Sequence, residues 1–139
     1  MKILVAHDGS DYSNKALKKG ANMAQRENAS LLVVNAVPDL GFTDELGDDY
    51  TRTLYSTLTD EAEKLMKGIR DDLSKSVSDI RTVVKFGSPA EIIIDTAKNE
   101  NVDLIVIGSH GKHGAKKFYL GSVSSKVVSH APCDVLVVK

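Results

Sequence analysis

The chain has no tryptophan, one cysteine, three prolines and an aromatic content of 5% across its 139 residues. Few aromatic rings leave little on which to stack bases, and a formal net charge of −1 supplies no positive field. Nucleic acid is therefore not an expected partner. One thiol, Cys133, cannot close an internal disulfide and fits a reducing compartment, where it serves as a small buried residue. Long apolar runs are also missing. The opening stretch from Met1 to Ala6 has the length of a strand and meets Asp8 too soon for a signal peptide or a membrane span. The expectation is a soluble, cytoplasmic protein of 15.0 kDa folded as one domain over residues 1–139, with no membrane partner.

What is present is a regular alternation. Short Val- and Ile-rich runs lie at Ile3 to Ala6, Leu31 to Val37, Ile80 to Phe86, Leu104 to Ile107 and Val135 to Val138. Three of them are nearly continuous, which predicts strands covered on both faces in a parallel sheet. Between them lie helical stripes. Ala16, Leu17, Gly20, Ala21 and Ala24 form a small-residue stripe suited to close packing on a sheet. Leu54, Leu58, Ala62, Leu65, Ile69 and Leu73 define a long amphipathic helix. Ser88-Pro89-Ala90-Glu91 pairs a capping box with proline at the first helical position. A last helix runs from about Ser122 to His130, stopped by Ala131-Pro132. The order is βα βα βα βα β, a three-layer α/β fold without internal repeats. Asp39 to Arg52, acidic and glycine-containing, lacks this periodicity and reads as a surface loop, or as a flap beside a binding site.

The chemistry concentrates at two strand ends. The fourth strand runs into Gly108-Ser109-His110-Gly111, and Gly121-Ser122 opens the next helix. Glycines let backbone approach a ligand, and a helix start presents free N–H groups to an anion. The first strand ends in His7-Asp8-Gly9-Ser10. If the two strands are neighbours at the switch point of the sheet, Asp8 faces the glycine loop across a crevice. Lys112, Lys116 and Lys117 either face phosphate or belong to a solvated surface. Ser122 either donates to phosphate or is a plain N-cap. Walker and dinucleotide glycine motifs are absent, as is a nucleophile elbow. His110 and His113 stand three apart without the acids or thiols of a metal cluster. His7 beside Asp8 reads as a polar pair on the ligand side.

Gly108-x2-Gly111-x9-Gly121-Ser122 resembles the ATP-binding signature of the universal stress protein family. Val5 to Ser10, Phe86 to Ile92, Val102 to Gly111 and Ser129 to Val138 are similar to other parts of that family, so the resemblance spans the chain. It implies a doubly wound parallel sheet of order 3-2-1-4-5 with helices on both faces, the adenine nucleotide alpha hydrolase-like type. It further implies ATP, with Mg2+ or Mn2+, held by Asp8, Gly9, Gly108, Ser109, His110, Gly111, Gly121, Ser122, Val123 and Ser124. Adenine would lie near Ala36 and Val37, and Asp8 near the ribose or, through a metal, the phosphates. Dimerisation would use the last strand, Asp134 to Lys139. Two departures stand inside the loop: an extra glycine in His113-Gly114-Ala115, and aromatics in Lys116-Lys117-Phe118-Tyr119-Leu120. With no second carboxylate placed to activate water, the leading expectation is a nucleotide-dependent stress-response switch with an unknown protein partner. A slow ATP hydrolase or adenylyl-transferring enzyme, and a nucleotide-free dimeric module, are the alternatives.

Overall fold

The Val- and Ile-rich runs pair as a parallel sheet. The computed structural model describes residues 1–39, 48–112 and 119–139. Among them are β1 (Lys2–Ala6), α1 (Asp11–Glu27), β2 (Ser30–Val37), α2 (Asp48–Leu73), β3 (Ile80–Phe86), α3 (Pro89–Asn99), β4 (Leu104–Gly108), α4 (Ser122–His130) and β5 (Asp134–Val138). The strand order is β3-β2-β1-β4-β5, the order that the family resemblance implies. Leu4 of β1 lies opposite Leu32 of β2 on one side and Ile105 of β4 on the other.

Alternation along the strands divides the core. Ile3, Val5, Leu31, Val33 and Val106 pack with Ala16, Ala21, Ala24 and Met66 beneath α1 and α2. Leu4, Leu32, Val34, Ile105 and Ile107 pack with Ile93, Ala97 and Val127 beneath α3 and α4. Each large aliphatic sealed in these layers contributes about 1.5–3 kcal/mol. α1 approaches so closely that a Cβ on Gly20 would stand 2.5 Å from Val5 Cγ2. Ser10 caps α1, accepting the Ser13 N–H at 3.2 Å, and Asn28 ends it in the left-handed region at φ 50°.

Four local expectations shift. α2 begins at Asp48, so residues 48–52 of the expected loop are helical and Thr51 is buried; residues 40–47 lie outside the described residues. Along α2, Met66, 1% exposed, joins Ala62 in the core in the place expected of Leu65, which is 37% exposed. The Ser88–Glu91 capping box does not form: Ser88 makes no side-chain cap, and Glu91 pairs at 3.5 Å with Lys126 of α4. The N-cap of α4 is Gly121, which makes Ser122 the first helical residue.

Candidate functional site

β1 and β4 are adjacent, but the connections leaving them run to opposite sides of the sheet, so their carboxyl ends flank the switch point. At the end of β1, His7 shares the face of Ile3 and Val5 and is 3% exposed. The Gly9 N–H donates to its Nδ1 at 3.3 Å, which puts the ring proton on Nε2, 2.8 Å from the accepting Asn14 Oδ1. Its carbonyl accepts from Asn35 Nδ2 at 3.0 Å. His7 therefore braces the turn from beneath and does not face the crevice. Burial lowers its pKa, outweighing the Asn14 bond and the nearby Asp8 charge, which raise it; Lys112 lowers it further.

The turn passes through Gly9 at φ 87°, a conformation that favours glycine. It presents Asp8 to the crevice. Asp8 Oδ1 accepts the Ser10 N–H at 2.9 Å, and Oδ2 accepts the Lys112 N–H at 3.2 Å from across the gap. Burial raises the Asp8 pKa, but the bonds from Ser10, Ser13 and Lys112 more than offset it, so the net shift is downward and the carboxylate stays charged. Gly111 is what permits this closeness, since a Cβ there would lie 2.9 Å from Asp8 Oδ2.

The other glycines of the motif shape the scaffold. A Cβ on Gly108 would stand 2.8 Å from Tyr12 Cβ and 2.9 Å from the Tyr12 backbone carbon, so this position admits the first turn of α1. Gly121 lies against the Ser109 carbonyl, to which its N–H donates at 2.7 Å. The Ser124 hydroxyl, 2% exposed, donates to that same carbonyl at 2.8 Å and ties α4 to the end of β4. The Ser109 N–H in turn donates to the Val138 carbonyl of β5. Among the described residues no side chain caps the first turn of α4, the turn itself holds no acidic residue, and Ser122 is exposed there. That helix start is available to an anion.

His110 contacts Ser109 Oγ through Nδ1 at 3.0 Å and tilts against the Tyr12 ring with centroids 5.1 Å apart; its Nε2 is buried with no hydrogen-bond partner among the described residues. At the far side of the crevice, the Val34 carbonyl accepts the His7 N–H and the Val37 carbonyl accepts the Gly87 N–H of the β3 side, each at 2.9 Å. Alternation along β2 then turns the Ala36 N–H and C=O toward the β1 side, beyond the point where β1 has ended. A backbone donor and acceptor on that side are the groups an adenine edge needs.

The structure thus brings Asp8, Gly9, Gly111 and the Gly121–Ser122 helix start around one crevice, with Ala36 along its rim. Ser109, Gly108 and Ser124 support that arrangement from behind. Val123 is the second helical residue of α4, half-buried among the packing of that face. Sequence reasoning leaves Lys112 between two roles. Its side chain folds back over Gly9, with Nζ 3.7 Å from where a Gly9 Cβ would be. Tyr12, which no motif marks, fixes both Gly108 and His110. Lys116 and Lys117, with the departures at His113-Gly114-Ala115 and Phe118, lie outside the described residues. Among the described residues no cluster of three His, Cys, Asp or Glu side chains could hold a metal ion. A divalent cation here would need a ligand's phosphates beside Asp8. Burial raises the Cys133 thiol pKa, which keeps it protonated.

Fold and crevice define a doubly wound α/β protein with an anion-ready helix start at its switch point. The model of the universal stress protein family matches residues 1–139. The putative universal stress protein SH1215 of Staphylococcus haemolyticus is 35% identical over 139 residues, spanning 99% of this chain and 83% of the relative. The solved universal stress protein UspA from Lactobacillus plantarum is similar with a TM-score of 0.91 at 32% identity, over 100% of this chain and 97% of that one. The Archaeoglobus fulgidus universal stress protein in complex with dAMP shares the fold at TM-score 0.70 and 23% identity, over 100% and 98% of the two chains. The chain belongs to the universal stress protein family.

Proposed function

We propose that this protein binds an adenine nucleotide, specifically ATP, in the β1–β4 crevice and acts as a nucleotide-dependent switch for a protein partner. The observation that carries the reading is the Asp8 carboxylate held against the Gly111–Lys112 backbone, opposite the uncapped start of α4. Phosphates would meet the N–H groups of Gly111, Ser122 and Val123, with Lys112 adding positive charge, while Gly121, its N–H bonded to the Ser109 carbonyl, sets the direction of the helix start. Asp8 and Gly9 would receive the ribose hydroxyls, or Asp8 a phosphate-bound Mg2+ or Mn2+. Ala36 would take the adenine edge, with Val37 behind it tying β2 to the β3 side, and Gly108, Ser109, His110 and Ser124 would hold the loop in shape. Adenine nucleotide binding by a relative, dAMP in the Archaeoglobus fulgidus protein, supports the ligand class.

Binding without rapid turnover fits the site's chemistry. Both Asp8 oxygens already accept backbone N–H bonds, and its lowered pKa makes it a poor general base. Cytoplasmic location and a homodimer through residues 134–139 complete the proposal; among the described residues no helix is long and apolar enough to cross a membrane. Calorimetric titration with ATP and Mg2+ tests it. Saturable heat that disappears in Gly111→Val is expected, whereas no heat from the folded native protein overturns the reading.

A further inference from the structure

The outer surface of α1 is unusually one-signed. Lys15, Lys18, Lys19 and Arg26 stand on it, no acidic residue occurs between Asp11 and Glu27, and none of these cations pairs with a carboxylate among the described residues. At its margin α1 and the end of α2 enclose a cleft of about 240 Å³. Leu17, Ala21 and Leu73 make its floor, while Lys18, Asn22 and Gln25 supply ammonium and amide donors at its edge; among the described residues no acidic side chain lines it. This volume is below the roughly 300–1,000 Å³ of small-molecule pockets and suits one inserted apolar side chain.

We infer that the α1–α2 cleft docks an acidic protein segment that places one aliphatic anchor on the Leu17–Ala21–Leu73 floor and its carboxylates along Lys15, Lys18 and Lys19. Carboxylates accept and do not donate, which matches a rim of ammonium and amide donors. An apolar anchor inside a charged rim is also how hot spots are built. A nucleic acid would use the cations but not the floor. The inference rests on the partner-binding half of the proposed function and needs no nucleotide, so its test runs without one and leaves the calorimetric result independent.

The probe is a fluorescein-labelled glutamate-rich peptide with one central leucine, followed by anisotropy against the native protein. Circular dichroism melts check that each variant is folded. The expected result is saturable binding, at least about tenfold weaker for the same peptide with glutamate replacing leucine, consistent with the loss of one buried aliphatic anchor. The double variant Lys18→Glu, Lys19→Glu and the cleft-filling Asn22→Trp, both at exposed positions, should each weaken it to a similar extent. Four results would overturn the inference. They are no binding at millimolar protein, equal affinity for the leucine-free peptide, tighter binding of a DNA duplex, or native self-association in sedimentation that Lys18→Glu abolishes, which would make a second copy the occupant.

Discussion

Replacing Gly108 by alanine separates the scaffold role of the motif from its ligand role. Gly108 is extended strand backbone, so alanine meets no conformational objection there; the objection is spatial. Its Cβ would stand 2.8 Å from Tyr12 Cβ, 2.9 Å from the Tyr12 carbonyl carbon and 3.0 Å from its oxygen, against 3.4 Å or more for ordinary contact. Two of these three atoms are backbone of the first turn of α1, which cannot rotate away. The turn would have to retreat by several tenths of an ångström. It also carries the Ser10 cap and Asn14, the partner of His7. Overpacking of this kind costs about 1–3 kcal/mol, and the stiffer unfolded chain returns roughly 0.4–1 kcal/mol of that. A net loss of about 1–2 kcal/mol should lower the melting temperature by about 3–10 °C. Gly68→Ala on the open surface of α2, with no atom of the described residues within 4 Å of the new Cβ, should instead stabilise by about 0.5–1 kcal/mol. Circular dichroism melts and urea midpoints measure both. A Gly108→Ala protein that melts at or above the native temperature would refute the packing argument.

Stability should fall with pH through His7. Its folded pKa lies below the ordinary imidazole value of 6.5, so the unfolded chain binds the proton more readily. The contribution is complete above pH 6.5 and is lost progressively as pH drops toward the folded pKa. Urea midpoints at pH 7.5 and 5.5 should therefore diverge more for the native protein than for His7→Gln, and equal differences would contradict the assignment. Two serines of α4, Ser122 and Ser124, should behave oppositely. Ser124→Ala, which leaves the buried Ser109 carbonyl without one of its donors, should cost about 1–2 kcal/mol of stability with little change in ATP affinity. Ser122→Ala should weaken ATP binding with little change in melting temperature. Thermal melts and calorimetry on the pair decide it.

Most of the fold was legible because it rests on long-range regularities. Continuous Val and Ile runs at β1, β2 and β4, the small-residue stripe of α1 and the stop at Ala131-Pro132 each state their role locally. What the sequence hid were choices between near-equivalent neighbours. Met66 displaces Leu65 from the core because a 3.6-residue period drifts across the 26 residues of α2. Glu91 satisfies the capping-box spacing, yet Lys126, far along the chain, pairs with it instead. His7 looked like a partner of Asp8 at the ligand; strand parity was the available signal, since residues 3, 5 and 7 share the α1 face. At the site, glycine spacing marked the loop but could not divide its labour. Only the atoms around each missing Cβ show Gly108 admitting Tyr12 and Gly111 admitting Asp8.

The most direct test of the central claim is an amide spectrum of 15N-labelled protein titrated with ATP and Mg2+. The account predicts saturable shifts concentrated at Ala36, Gly9, Gly111, Lys112 and Gly121 to Val123, with the cleft-lining amides of Asn22 and Gln25 unmoved. A spectrum unchanged at millimolar ATP, or shifts confined to another face of the sheet, would contradict it.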